Sequence, residues 1–150
     1  MNPDAAADSS SALVGVWRLV SLTSEDADGR VGYPFGPHAR GRLVYRADER
    51  MEVQLTDPDR PAFANDDPRL ASAAEVRAAF DGYMAYYGTY SVDFREQAVV
   101  HLVEAALIPN WVGRSEVRRF ELAGDRLTLK GPLVLDGVSL VVSLVWERVG

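Results

Sequence analysis

The chain has 150 residues, no cysteine and a formal net charge of -6, with 47% hydrophobic and 25% charged residues. That balance fits one ordinary globular domain built around one core. It excludes a disulfide framework and a thiolate zinc site, argues against a phosphate-backbone partner, and includes no apolar run long enough to span a bilayer.

The opening MNPDAAADSSS has neither a basic patch nor an apolar segment of the kind a signal peptide needs. The expectation is a disordered lead-in over 1–12 and a cytoplasmic protein. Order begins with LVGVWRLVSLTSE (13–25), a long strand ended by the polar SEDADGR. GYPFGPHARGR (32–42) is dense in turn residues. RLVYR (42–46) and MEVQL (51–55) then alternate at period two around ADER, a hairpin with Leu43, Tyr45, Met51, Val53 and Leu55 on one face.

TDPDRPAFANDDPRLA (56–71) is a long loop with three prolines. Ser72 and Glu75 form a capping-box pattern. Val76, Ala79, Phe80, Tyr83, Met84 and Tyr87 follow at helical spacing, which predicts one helix over about 72–87 covering a barrel mouth. Strands return at 88–94, 98–105, 116–122, 126–130 and 138–149, with AGD (123–125) and PLVLDG (132–137) as connections. About eight strands with short loops suggest a mainly β protein, an antiparallel up-and-down barrel without exposed edges. Eight strands leave room for packed side chains or one small ligand.

Several segments, in this order, resemble the bacterial and fungal lipocalin-like domain family: LVGVWRLVS with its G-x-W, YPFGPHARGRLVY, FDGYMAYYGTY, VEAALIPNWVG followed by VRRFEL and DRLTL, and the closing LVWERV. The resemblance covers about residues 13–149 and implies a single eight-stranded calyx with an internal pocket. It implies no single activity, since members look like binding proteins or sit among small-molecule biosynthesis enzymes. The G-x-W has a physical reading of its own. Trp17 should close the barrel base, with ligand contact as the alternative, Gly15 lets the backbone pass closely, and Arg148 on the last strand could lie over the indole as a cation–π partner.

The segment HLVEAALIPNWVGRSEVRRFEL (101–122) carries the candidate chemistry. Phe120 and Leu122 should face inward, and period two takes Arg118 with them. A turn centred near Trp111 then sets Glu104 opposite Arg118, Leu102 opposite Phe120 and Val100 opposite Leu122. In that register Glu104 is an ionised lumenal base, Arg118 lowers its pKa, and His101 falls outside. The register has alternatives. A two-residue loop at Arg95–Glu96 brings Tyr90 opposite His101, a three-residue loop brings it beside Leu102, and a bulge could bring both His101 and Glu104 near the lumen. His101 therefore stays an acid–base candidate. Asn110 and Trp111 read as a turn with an aromatic cap or as a pocket rim. Tyr33, Tyr45, Tyr83, Tyr87 and Tyr90 could place phenols around the same mouth, with core packing the default for Tyr83 and Tyr87. His38 reads as a surface residue.

The sequence carries no phosphate loop, nucleophile elbow, zinc-protease helix motif or dinucleotide fingerprint. Any chemistry should be free of metal and cofactor. Two functions follow. In the first, the pocket is a cofactor-independent cyclase, isomerase or lyase acting on a hydrophobic metabolite, plausibly in secondary metabolism, with Glu104, Arg118 and His101 catalytic. In the second, it is a carrier of a small hydrophobic ligand, sensitive to bulk at Phe80 or Tyr83. The concentration of titratable groups along 101–118 favours the enzyme. The partner expected in both is a small hydrophobic molecule, with no nucleic acid and no membrane; a homodimer through outer barrel faces is an option that no residue pattern supports.

Overall fold

Alternation of apolar and polar residues sets the architecture. A computed structural model describes residues 12–149, so nearly all of the expected lead-in over 1–12 lies outside the described residues. The elements are β1 (Gly15–Glu25), β2 (Val31–Gly32), β3 (Arg40–Tyr45), β4 (Arg50–Thr56), α1 (Ala73–Asp81), β5 (Tyr83–Asp93), β6 (Ala98–Ala106), β7 (Ser115–Ala123), β8 (Arg126–Leu135) and β9 (Val138–Val149). Neighbours pair antiparallel in the order β2-β1-β3-β4-β5-β6-β7-β8-β9, and β1 also pairs β9. That last pairing closes β1 and β3–β9 into an eight-stranded barrel, as the strand count predicts. β2 is a two-residue bridge beside Ser24 and Glu25.

Closure removes the edges, and the inward faces merge into one core. β4 shows the rule in its simplest form: Met51, Val53 and Leu55 are buried, while Glu52 and Gln54 are exposed. At the base, Trp17 is fully buried and its indole N–H donates to the Leu13 carbonyl at 3.0 Å. The Arg148 guanidinium lies 4.3 Å from the Trp17 ring centroid. It also donates to the Val14 and Ala12 carbonyls at 2.7 Å each, tying the chain start across the base. A Cβ at Gly15 would stand 2.7 Å from that guanidinium, so the glycine makes room for the arginine.

Two expected elements differ. The capping box forms as expected, Ser72 and Glu75 exchanging side-chain and backbone hydrogen bonds. The helix nevertheless stops at Asp81 with Gly82 as its C-cap, and Tyr83–Tyr87 belong to β5. The helical spacing of Tyr83, Met84 and Tyr87 is thus coincidental, and tyrosine-rich sequence beyond a glycine follows its β preference. Phe80 and Val76 stay exposed. The second difference is β8, which continues to Leu135 through a segment expected to be a connection.

Candidate functional site

The connections that join β4 to β5 (through α1), β6 to β7 and β8 to β9 gather at the end opposite Trp17. Between that end and the barrel midline lies a cavity. The space open to the centre of a water molecule is about 90 Å³, and the empty volume including the mouth is about 730 Å³. Its wall is mostly aliphatic: Leu22, Leu43, Val53, Leu55, Met84, Leu129, Leu133, Val142 and Leu144 all contribute. Phe35, from the turn-rich stretch before β3, and Trp111, from the short helical turn Pro109–Trp111, bring aromatic rings to it.

The polar groups come from β5, β6 and β7. His101 is 2% exposed and faces inward. Its Nε2 lies 2.6 Å from the Tyr45 hydroxyl and its Nδ1 lies 2.6 Å from the Tyr86 hydroxyl. Rings then run in a column from base to rim. Tyr90 packs on Tyr45 at 4.6 Å between centroids, Tyr45 on His101 at 5.6 Å, His101 on Tyr86 at 5.7 Å, and Tyr86 edge-on to Trp111 at 6.2 Å. Burial, helped by the nearby Arg118 charge, pulls the His101 pKa down to about 3. Burial likewise pushes Tyr86 up to about 12 and Tyr45 well above its ordinary value. At neutral pH the imidazole and both phenols are therefore uncharged.

Arg118 lines the cavity and its side chain is 11% exposed. It lies 3.5 Å from the Glu116 carboxylate and donates to the Val117 carbonyl at 3.1 Å. A Cβ at residue 131 would stand 2.7 Å from the Arg118 Cδ and Nη1, so Gly131 opens the lane along which the arginine extends.

The expected Glu104–Arg118 pair is not there. His101 pairs with Glu116 and Val99 with Arg118, five residues out of the expected register. An odd shift flips one strand against the other. Arg118 keeps its inward face, Glu104 goes to the exposed outer surface, and His101 turns in. The β5–β6 pairing follows the two-residue-loop alternative, with Tyr90 opposite His101. Glu104 is itself the extra residue of a bulge, since Tyr87 pairs with Ala105 but Gly88 with Val103.

A model for the lipocalin-like domain matches residues 14–149. The chain belongs to the lipocalin-like domain family. Among curated proteins it is similar to the 4'-hydroxy-3'-methoxypropiophenone carrier protein ppsC of Aspergillus oryzae, 28% identical over 106 residues, covering 65% of this chain and 96% of that one. Among solved structures it resembles the siderocalin Ex-FABP, with 12% identity, 92% of this chain and 74% of the other covered, and a TM-score of 0.35, an overlay too loose to bear on function.

Within this lipocalin-like barrel the expected site residues divide. His101, Arg118 and Trp111 line the cavity, joined there by the unexpected Tyr86. Tyr45 and Tyr90 are buried beneath it as support, Tyr90 donating to the Arg46 carbonyl at 2.7 Å. Tyr33, Phe80, Tyr87 and Asn110 are exposed and are not part of the wall. Tyr83 bonds Gln54 on the outer face. His38 is a surface residue, 3.2 Å from Asp59. Sequence reasoning missed Tyr86, Glu116 and Phe35. A lone phenylalanine among turn residues was the only signal for Phe35, and Tyr86 was hidden inside the supposed helix. Among the described residues no cluster of His, Cys, Asp or Glu is placed to hold a metal ion, and no helix is long and apolar enough to cross a membrane.

Proposed function

We propose that this lipocalin-like barrel is a carrier that encloses one small hydrophobic molecule bearing an oxygen at its buried end. The observation that carries the reading is the state of His101. Both ring nitrogens are already engaged by tyrosines, and the ring is uncharged at neutral pH. Such a histidine has no free lone pair for a substrate proton and stays deprotonated, so it is a poor base and a poor acid. Glu104, the base expected for a cyclase or isomerase, faces away from the cavity. What is left is an apolar wall with a few fixed polar groups, the composition that suits binding without turnover. The carrier name of the Aspergillus relative points the same way and makes aryl ketones the first ligands to try.

The test is equilibrium dialysis against a panel of aryl ketones, followed by chromatography of the recovered compound. A carrier holds one molecule per chain and returns it chemically unchanged after prolonged incubation. Accumulation of a product with any member of the panel, lost in Arg118→Met or His101→Gln, would establish an enzyme instead.

A further inference from the structure

The hydrogen-bond chain through His101 has a direction, and the direction selects the ligand. Tyr45 is 1% exposed, and among the described residues the only acceptor within hydrogen-bond distance of its hydroxyl is His101 Nε2. A buried hydroxyl hydrogen left unpaired is costly. Tyr45 must therefore donate to Nε2, and a neutral imidazole that accepts at Nε2 carries its proton on Nδ1. The Nδ1–H then donates to the Tyr86 oxygen. Tyr86 can no longer give its own hydrogen to the ring, and it makes no other hydrogen bond among the described residues. Tyr86 lines the cavity whereas Tyr45 does not, so the free O–H opens to the ligand space. Glu116, the nearest carboxylate on β7, sits against Arg118 and forms no bond to Tyr86. Arg118, the charged residue that lines the cavity, is also a donor.

We infer that the buried pole of the cavity is a donor-only pole, in which Tyr86 O–H and the Arg118 guanidinium recognise a hydrogen-bond acceptor, the carbonyl oxygen of a ketone, on an otherwise apolar ligand. This deepens the carrier reading and rests on it. Tyr45 and His101 are positioning residues that fix the rotor of Tyr86. The ketone oxygen goes in first and the remainder of the molecule lies toward Trp111 and the mouth. A ligand whose only polar group is a donor finds no acceptor there and is discriminated against, because a site built to donate leaves its own groups unpaired beside such a molecule.

Two measurements test this. The first needs no ligand. In histidine-selective ¹⁵N–¹H spectra at neutral pH, His101 should show a protonated, pyrrole-like Nδ1 and a pyridine-like Nε2, and Tyr45→Phe should abolish that fixed assignment. The opposite tautomer in the wild type overturns the inference. The second compares para-methoxypropiophenone with its carbonyl-free counterpart, para-propylanisole, by quenching of tryptophan fluorescence. The ketone should bind about tenfold tighter. Tyr86→Phe should erase most of that preference while leaving para-propylanisole affinity within about twofold, which shows that the cavity is intact. Equal binding of both compounds by the wild type, or a preference that survives Tyr86→Phe and Arg118→Met, overturns the donor pole but leaves the carrier. Failure of both compounds to bind overturns the carrier reading and the ligand class together.

Discussion

His101 is the residue on which both stability and recognition turn. Unfolded, an imidazole takes up a proton near pH 6.5; folded, this one stays neutral to about pH 3. Above pH 6.5 both states hold a neutral ring and the group adds no pH dependence. Between the two values only the unfolded chain binds the proton, so stability falls as pH falls. The loss reaches about 2 kcal/mol by pH 5 and roughly 4–5 kcal/mol once the folded value is reached. The groups that face the ring are Tyr45, Tyr86 and Arg118, with Glu116 opposite on β7; the tyrosines stay neutral throughout. His101→Gln keeps a donor and an acceptor but does not titrate. Urea denaturation at pH 7.5 and at pH 5 should show the wild type losing about 2 kcal/mol more than this variant. Equal losses in both would mean that His101 is hydrated or charged in the native state.

At the scale of elements, the β5–β6 bulge decides which side chains face the lumen. A Cβ on Gly88 would stand 1.8 Å from the Leu102 carbonyl oxygen, so the strands approach this closely only because residue 88 has no side chain. Gly88→Ala should cost on the order of 3 kcal/mol through forced separation of β5 and β6. Glu104→Gln, on the exposed face of the same bulge, should change stability by less than about 0.5 kcal/mol. Thermal melts of the two variants check both numbers, and a large loss from Glu104→Gln would return that carboxylate to the interior. The same region marks the limit of what the sequence makes legible. Alternation alone places Met51, Val53 and Leu55 inside, and the G-x-W pattern places Trp17 and Arg148 at the base. Between β6 and β7 the pattern misleads, because Leu102 and Val117 are apolar yet 46% and 48% exposed. Inward and outward faces therefore look alike in sequence, and parity there depends on the length of the β6–β7 turn. That turn includes the Pro109–Trp111 helical segment, and Gly113 and Arg114 bond back to Val103. Arg118 was legible through its period with Phe120. Its carboxylate partner, Glu116, stands two residues earlier on the same strand, so the same period puts both on one face whatever the register; the cross-strand expectation for Glu104 hid it.

For the whole molecule, closure by β1 and β9 makes a two-part barrel. The lower half is filled by Trp17, Tyr45, Tyr90, Phe120, Leu127 and their neighbours, all buried. The upper half stays open above His101, and the aromatic column ties the two together. A filled lower half and an open upper half suit a barrel that encloses a small molecule. Trp146 lines the cavity, and its buried indole N–H is without a partner among the described residues. In the proposed complex a small hydrophobic ligand sits in this upper space with its oxygen against Tyr86. The direct measurement is a set of intermolecular nuclear Overhauser effects between para-methoxypropiophenone and the methyl groups of the protein. Contacts should run from the ketone's ethyl and ring protons to Leu43, Leu129, Val142 and Leu144, with none to outward-facing Leu102 or Val117. Contacts confined to the outer surface, or none at saturating ligand, would contradict that placement.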